Sequence, residues 1–349
     1  MRFYTEKHPY YAGIDLHARS LYACVLDQEG EVVLHRKART TREETLGLLA
    51  PFRDDGVVVA CECLFCWYWL ADLCADEGIP FVLGHALYMK AVHGGKTKND
   101  RIDSHKIAIL LRGGMLPMSY VYPRKMRSTR DLLRRRTHLV RKRAELLAHI
   151  QNTNTQYNLP ALVGSIDVAI HRRELLEHFG DDPEVQMSIA LDLALLDRYD
   201  SMLAEAELYL EYCIRKHNAA AYQLLRTVPG IGRILALTLF YEIHQIRRFP
   251  SVGDFLSYAR LVPGGRESDG KKKASGGRKM GNVHLKWAFS EASSLFLRGK
   301  PRHQQEMDRL EKKHGKRKGM AVLAAKLGRA VFFMLKNHEP FDADKFFRN

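Results

Sequence analysis

Tyr10-Tyr-Ala-Gly-Ile-Asp-Leu16 and Ser20-Leu-Tyr-Ala-Cys-Val-Leu-Asp27, separated by His17-Ala-Arg19, decide the class of the first domain. Both runs are apolar and of strand length, and three residues between them suit a turn, so they read as an antiparallel pair. A third strand over Val32–Arg36 follows the Glu29-Gly30 turn and completes a meander. Thr40 or Thr41 can cap a helix running to about Arg53, and Val57–Glu62 is an apolar run of buried-strand type. A helix over Phe65–Glu77 ends at Gly78, a strand covers Ile79–Gly84, and a further helix begins near Asp100. The order is β-β-β-α-β-α-β-α, an α/β domain by the alternation itself.

Three strands followed by strand-helix alternation is the order of a ribonuclease-H-like mixed sheet. Asp15 lies near the end of the first strand and Glu62 at the end of the fourth, each the single charge in its apolar run. Strand ends are where open sheets assemble sites, and a carboxylate in such company is costly without a metal or basic partner. Downstream, Lys96-Thr-Lys-Asn-Asp-Arg-Ile-Asp-Ser-His-Lys106 sets Asp100 and Asp103 three residues apart at a helix start, so both can face one spot. Acidic residues also favour a first helical turn through the helix dipole. As a set, Asp15, Glu62, Asp100 and Asp103 can hold two magnesium ions about 4 Å apart, the arrangement used in phosphodiester displacement. His17, His85 and His105 lie close in sequence to these acids.

The chain has 349 residues, 46% of them apolar, enough for two domains with real cores. Its formal charge of +15 is clustered, which favours a polyanionic partner, nucleic acid first. Six cysteines after a start without a signal pattern speak against a disulfide framework and for a reducing cytosol. Cys61, Cys63 and Cys66 lack a second ligand pair at zinc spacing and read as packing residues. No apolar run approaches a membrane span.

From Arg124 to about Tyr157 one long helix carries a dense basic face that includes Arg134, Arg135, Arg136, Arg141, Lys142 and Arg143, expected to meet phosphates. Ile189–Ile214 has a coiled-coil-like seam that can pack on this helix or on a second copy. Leu225-Arg-Thr-Val-Pro229-Gly-Ile-Gly232 reads as a hairpin between helices whose Gly230 and Gly232 leave amides for a phosphate, as in a helix-hairpin-helix. Leu261 to Asn282 is a basic glycine-rich loop, with Arg266, Lys271, Lys272, Lys273, Arg278 and Lys279, before a helix near Val283. Ala321–Lys336 reads as an amphipathic terminal helix with Phe332, Phe333 and Leu335 in the core. The expected division is 1–120, 121–217 and 218–349: an α/β domain, a helical and coiled-coil middle, and an all-α C-terminal domain.

Tyr11-Ala-Gly-Ile-Asp15, Glu62 and Lys98-Asn-Asp100-Arg-Ile-Asp103-Ser-His-Lys106 resemble the DEDD transposase domain of the insertion sequence 110 family, similar in fold to the Holliday-junction resolvase RuvC. Pro263, Ser268, Lys279, Gly281 and Asn282 resemble, in order, that family's proline, serine and basic loop ending in Lys-x-Gly-Asn. Asp269 stands where the family usually has glycine, and Ser275 is the alternative serine. The resemblance implies a magnesium-dependent DNA recombinase in which Ser268 is the nucleophile and Asp15, Glu62, Asp100 and Asp103 hold the metal. It also implies that a structured bridge RNA pairs with donor and target DNA, and that the protein works as a dimer or tetramer in the bacterial cytoplasm, near the nucleoid. Arg266, Lys271, Lys272, Lys273, Arg278, Lys279 and Asn282 would then contact nucleic acid. The alternatives are a RuvC-like metal-dependent endonuclease without serine chemistry and a non-catalytic nucleic-acid-binding protein.

Overall fold

The computed structural model describes residues 2–92, 99–162, 166, 172, 175–262, 266–268, 271–273, 280–298 and 301–348, with backbone alone at 91, 92, 266–268 and 271–273. The chain divides into two compact units, Met1–Arg124 and Lys125–Asn349.

In the first unit, β1 (Tyr10–Leu16), β2 (Ser20–Leu26) and β3 (Val32–Arg39) form the expected meander. It is followed by α1 (Arg42–Arg53), β4 (Val57–Glu62), α2 (Tyr68–Asp76), β5 (Phe81–Gly84), α3 (Ala86–Val92) and α4 (Asp100–Arg112). The sheet order is β3-β2-β1-β4-β5, antiparallel within the meander and parallel at β1/β4 and β4/β5. This is the ribonuclease-H-like mixed sheet read from the sequence. Thr41 caps α1 by accepting from the Glu44 amide at 3.2 Å. The last strand begins after Pro80, which has no amide to donate, rather than at Ile79. The second helix starts at Tyr68 rather than Phe65, and α3 has no counterpart in the sequence pattern.

Apolar residues lie on both faces of β1, because α1 and α2 cover one face and α4 the other. Ala12, Ile14 and Leu16 join Leu48, Leu49, Leu70 and Leu73 in one core. Tyr11, Val58 and Ala60 join Ile107, Leu110 and Leu111 in the other. The outer strand β3 carries Arg36, Lys37 and Arg39 exposed, the charges that keep a sheet edge from pairing further.

The second unit runs through α5 (Arg124–Gln156, whose first residue belongs to the first unit), α6 (Leu175–His178), α7 (Pro183–Arg226), α8 (Arg233–Ile243) and α9 (Val252–Tyr258). A short hairpin, β6 (Arg266–Ser268) and β7 (Lys271–Lys273), precedes α10 (Val283–Phe296), α11 (Pro301–His314), α12 (Lys316–Asn337) and α13 (Ala343–Arg348). Helices α5 and α7 run antiparallel: Arg136 pairs with Glu207, Arg143 with Asp200 and His149 with Asp192, each at 2.5 Å. The seam of α7 therefore packs within the chain, Ile189 and Leu196 with Ile150, and Leu210 and Ile214 with Leu133.

Asn218, at non-helical φ −169° and ψ 86°, divides α7 beside the 217/218 boundary and caps the restart by accepting from the Ala221 amide. Residues on both sides of it, such as Leu210 and Leu225, nevertheless enter one core, which is built round the buried α8. Phe332 is in that core, whereas Phe333, expected there, is 37% exposed because the next residue along α12 points about 100° further round the helix, away from the core. Among the described residues no helix is long and apolar enough to cross a membrane.

Candidate active site

Alternation along β1 sends Asp15 to the same face as Tyr11 and Gly13, the face that α4 covers. Alternation along β4 does the same for Glu62, which follows Val58 and Ala60 there. Ile14 pairs with Cys61, so Glu62 stands at the register position beside Asp15. Asn99 starts α4 by accepting from the Ile102 amide at 2.7 Å, and this places Asp100 and Asp103 in the first turn. Gly13 lets that helix lie directly on the strand. A Cβ at residue 13 would fall within contact of Ala108 N and Ser104 O, and 3.0 Å from Ala108 Cα.

The result is a compact group. His17 Nε2 lies 3.3 Å from Asp15 Oδ2 and 3.5 Å from Asp100 Oδ1, and one ligand atom from each residue falls within 4.8 Å of the others. Asp15 is 8% exposed; burial raises its carboxyl pKa, His17 opposes this, and the charges of Asp100 and Asp103 raise it further. Asp103 also pairs with Lys106 at 3.4 Å. The structure thus gathers Asp15 and Asp100 with His17 and sets Asp103 near enough to act on Asp15. Glu62 shares their face but lies outside the three-residue group. Carboxylates that disfavour one another's charge, beside an imidazole, are groups that could hold a metal ion. In sequence, His17 is no more than a histidine near an acid. Its signal is its position two residues past Asp15, in the turn that folds back over the strand end.

The second stretch singled out in the sequence includes the β6–β7 hairpin. Ser268 closes β6 opposite Lys271 in antiparallel register. Pro263, Ser275, Arg278 and Lys279 lie outside the described residues. Asn282, expected at the nucleic-acid surface, is instead 7% exposed and structural. Its side chain accepts from the His284 and Leu285 amides at the start of α10 and donates to Glu242 Oε2 at 2.7 Å. An N-cap has to sit where the helix begins, and here α10 begins inside the core.

A transposase model, that of the DEDD domain of IS110, matches residues 12–159. The model described as Transposase IS116/IS110/IS902 family matches residues 222–308, and the two cover about two thirds of the chain. The chain belongs to the IS110 family of transposases. It is similar to the transposase for insertion sequence element IS1111A of Coxiella burnetii, with 25% identity over 82% of this chain and 77% of that protein. It is also similar to the Sinorhizobium fredii protein named "Putative transposase y4qE", with 28% identity over 58% of this chain and 49% of that one.

The basic face of this transposase is less uniform than its sequence suggests. Arg134 and Arg130 both pair with Glu242, which has no exposed surface, at 2.7 and 2.9 Å. Burial alone would raise the Glu242 carboxyl; hydrogen bonds and charges from Arg134 and Arg130, with Asn282, hold it at about 2. Arg136 and Arg143 are taken up by α7, and Lys142 pairs with Glu145 at 2.7 Å while remaining exposed. Arg135 and Arg141 face solvent. The partners of these arginines lie 57 to 112 residues away in sequence, which no local pattern reveals. Gly230, at φ +85°, fits against α10, where a Cβ would lie 2.6 Å from Phe296 N and 2.8 Å from Ala292 O. Gly232 starts α8 with no side-chain cap. At the α11–α12 junction, Lys312, Lys313, Lys316, Arg317 and Lys318 are all exposed, a basic tip outside every motif singled out in the sequence.

Proposed function

We propose that this transposase cuts and rejoins donor and target DNA through a serine-linked intermediate at Ser268, with magnesium held by the acidic group and with a structured bridge RNA selecting both sites. The observation that carries the reading is the convergence of Asp15, Asp100 and His17 on one face of β1, with Asp103 acting on the same carboxylate. Glu62, at the adjacent register position, completes the set. Magnesium bound there would ease ionisation of the attacking hydroxyl and offset charge on the phosphorane. The chain's own residues do the rest. Ser268 Oγ gives up its proton and forms a bond to the scissile phosphorus as the strand's P–O bond breaks and the leaving oxygen takes a proton. A hydroxyl of the second strand then displaces the serine.

Base pairing by the RNA would choose the sequence, and the protein would hold backbones. Arg135, Arg141, Lys142, the basic segment from Arg266 to Lys279 and the α8 start at Gly232 are the phosphate contacts in this reading. It assembles as a dimer or tetramer and acts at the nucleoid.

Denaturing gels test the chemistry, with a junction-bearing DNA, magnesium and RNA from the element's flank. A covalent protein–DNA adduct is expected for wild type and lost in Ser268→Ala and Asp103→Asn. Cleavage without an adduct, unchanged in Ser268→Ala, would move the protein to a metal-dependent endonuclease of the RuvC type.

A further inference from the structure

The segment that carries Ser268 begins and ends at one place, the last turn of α9. At its start, the Arg260 amide donates to Ser257 O at 3.0 Å and the Leu261 amide to Leu256 O at 2.9 Å. At its end, the Asn282 amide donates to Tyr258 O at 2.6 Å. Gly281 permits that return: its φ is +87°, and a Cβ there would fall 2.5 Å from Tyr258 O and 3.2 Å from Ser257 O. Asn282 is bonded a second time, away from α9. Its side-chain oxygen caps α10, and its amide nitrogen donates to Glu242 Oε2 at 2.7 Å. The cap alone does not require an amide, since serine or aspartate caps a helix as well. What asparagine adds is the nitrogen, and the nitrogen reaches a carboxylate that α5 also holds. Glu242 Oε1 accepts from Arg134, and Oε2 from Arg130, Arg134 and Asn282. A buried carboxylate bonded by three side chains has its orientation fixed by them.

We propose that Glu242 is a positioning residue for Ser268, fixing through Asn282 the point at which the serine-bearing segment joins α10; the inference rests on the serine reading above and names what holds that segment against α5. Ser268 pairs with Lys271 of β7, and Asn282 is the next described residue after β7 with a side-chain bond into the core. The basic helix and the serine segment are in this way referred to one buried group: Arg130 and Arg134 hold it from α5, and Asn282 holds it from the end of the segment. DNA held by the exposed Arg135 and Arg141 of α5 is thereby presented to the serine at a spacing that Glu242 sets. A misplacement of reacting groups by about 1 Å can cost about a hundredfold in rate, so a lost bond at this anchor is read in the rate of the chemical step.

The test follows two readouts in the full-length protein, below the thermal midpoint of every variant. One is the rate of adduct formation at saturating DNA, with magnesium and RNA from the element's flank; the other is hydrogen exchange of peptides within residues 261–282 in the free protein. Asn282→Ser keeps a capping oxygen and loses the nitrogen that reaches Glu242. Asn282→Asp keeps the cap and sets a second carboxylate against Glu242. Each should slow adduct formation by about tenfold or more and speed exchange in the segment by about threefold or more, with manganese affinity unchanged. Glu242→Gln/Asn282→Asp exchanges the amide and the carboxylate at unchanged net charge, and should recover about threefold or more of the rate lost in Asn282→Asp. Wild-type rate and exchange in Asn282→Ser would overturn the proposal and leave Asn282 as a cap alone. Faster exchange at an unchanged rate would overturn the positioning of Ser268. Slowing without recovery in the exchanged pair would overturn Glu242 as the group through which Asn282 acts. A wild type that forms no adduct would overturn the serine reading and, with it, the positioning of a nucleophile, whereas equal adduct rates in wild type and Asn282→Ser would overturn the positioning alone.

Discussion

Replacing Gly13 by alanine tests whether the spacing between β1 and α4 sets the acidic site. The added Cβ would meet Ala108 N and Ser104 O inside van der Waals contact and Ala108 Cα at 3.0 Å, all of them backbone atoms that no rotamer change can move. Ordinary carbon contacts are about 3.5–4.0 Å, so α4 has to retreat by on the order of 1 Å or tilt. Asp100 and Asp103 ride on the first turn of that helix, immediately before Ser104. The same retreat therefore opens the Asp15–His17–Asp100 group, whose ligand atoms now span 4.8 Å at most. Overpacking of this kind costs about 1–3 kcal/mol of stability, and a misplacement of reacting groups by about 1 Å can cost about a hundredfold in rate. The assays are thermal denaturation, manganese binding by calorimetry as a metal probe, and adduct formation, with Gly47→Ala as control. Gly47 is a helical glycine on α1 whose added Cβ would have no neighbour within 4 Å, so its alanine variant should be neutral or stabilising by up to about 1 kcal/mol. If Gly13→Ala kept wild-type stability and manganese affinity, the claim that close strand–helix approach builds the site would be wrong.

Glu242→Gln should lower stability by about 3–5 kcal/mol, because it leaves Arg130 and Arg134 without their buried counter-charge. A carboxyl held at about 2 instead of 4.5 is worth about 3 kcal/mol. That stabilisation is present above pH 4.5 and is lost as pH falls toward 2. The gap between wild type and variant in urea denaturation, followed by hydrogen exchange of α8 amides, should narrow over that window; a pH-independent gap would refute the assignment. Asp15→Asn should abolish manganese binding yet raise the thermal midpoint of the metal-free protein, since it removes a charge disfavoured by burial and by Asp100 and Asp103. Reversing Lys312, Lys313 and Arg317 to glutamate should weaken DNA binding at all sequences and flatten its dependence on salt by roughly one unit of slope for each phosphate no longer neutralised; an unchanged salt slope would exclude the α11–α12 tip from the interface.

Local pattern carried much of this protein. The strands β1, β2 and β4, a cap at Thr40 or Thr41, a helix start near Asp100, and the long basic helix α5 were legible because alternation, capping and helical period are properties of neighbours in sequence. The acids were legible for the same reason: a lone carboxylate at a strand end and a pair at spacing three announce themselves. Only the tertiary structure decided which of them meet. It brought His17 between Asp15 and Asp100 through a turn, and it needed Gly13 to let α4 close. It also withdrew residues that charge density or the family resemblance had assigned to the nucleic-acid surface. Asn282 went to a buried cap, and Arg134, Arg136 and Arg143 went to acids more than fifty residues away. A sequence states charge and period, which are local. Partnership between charges depends on which surfaces pack together, and packing is settled by contacts that chain neighbours do not encode.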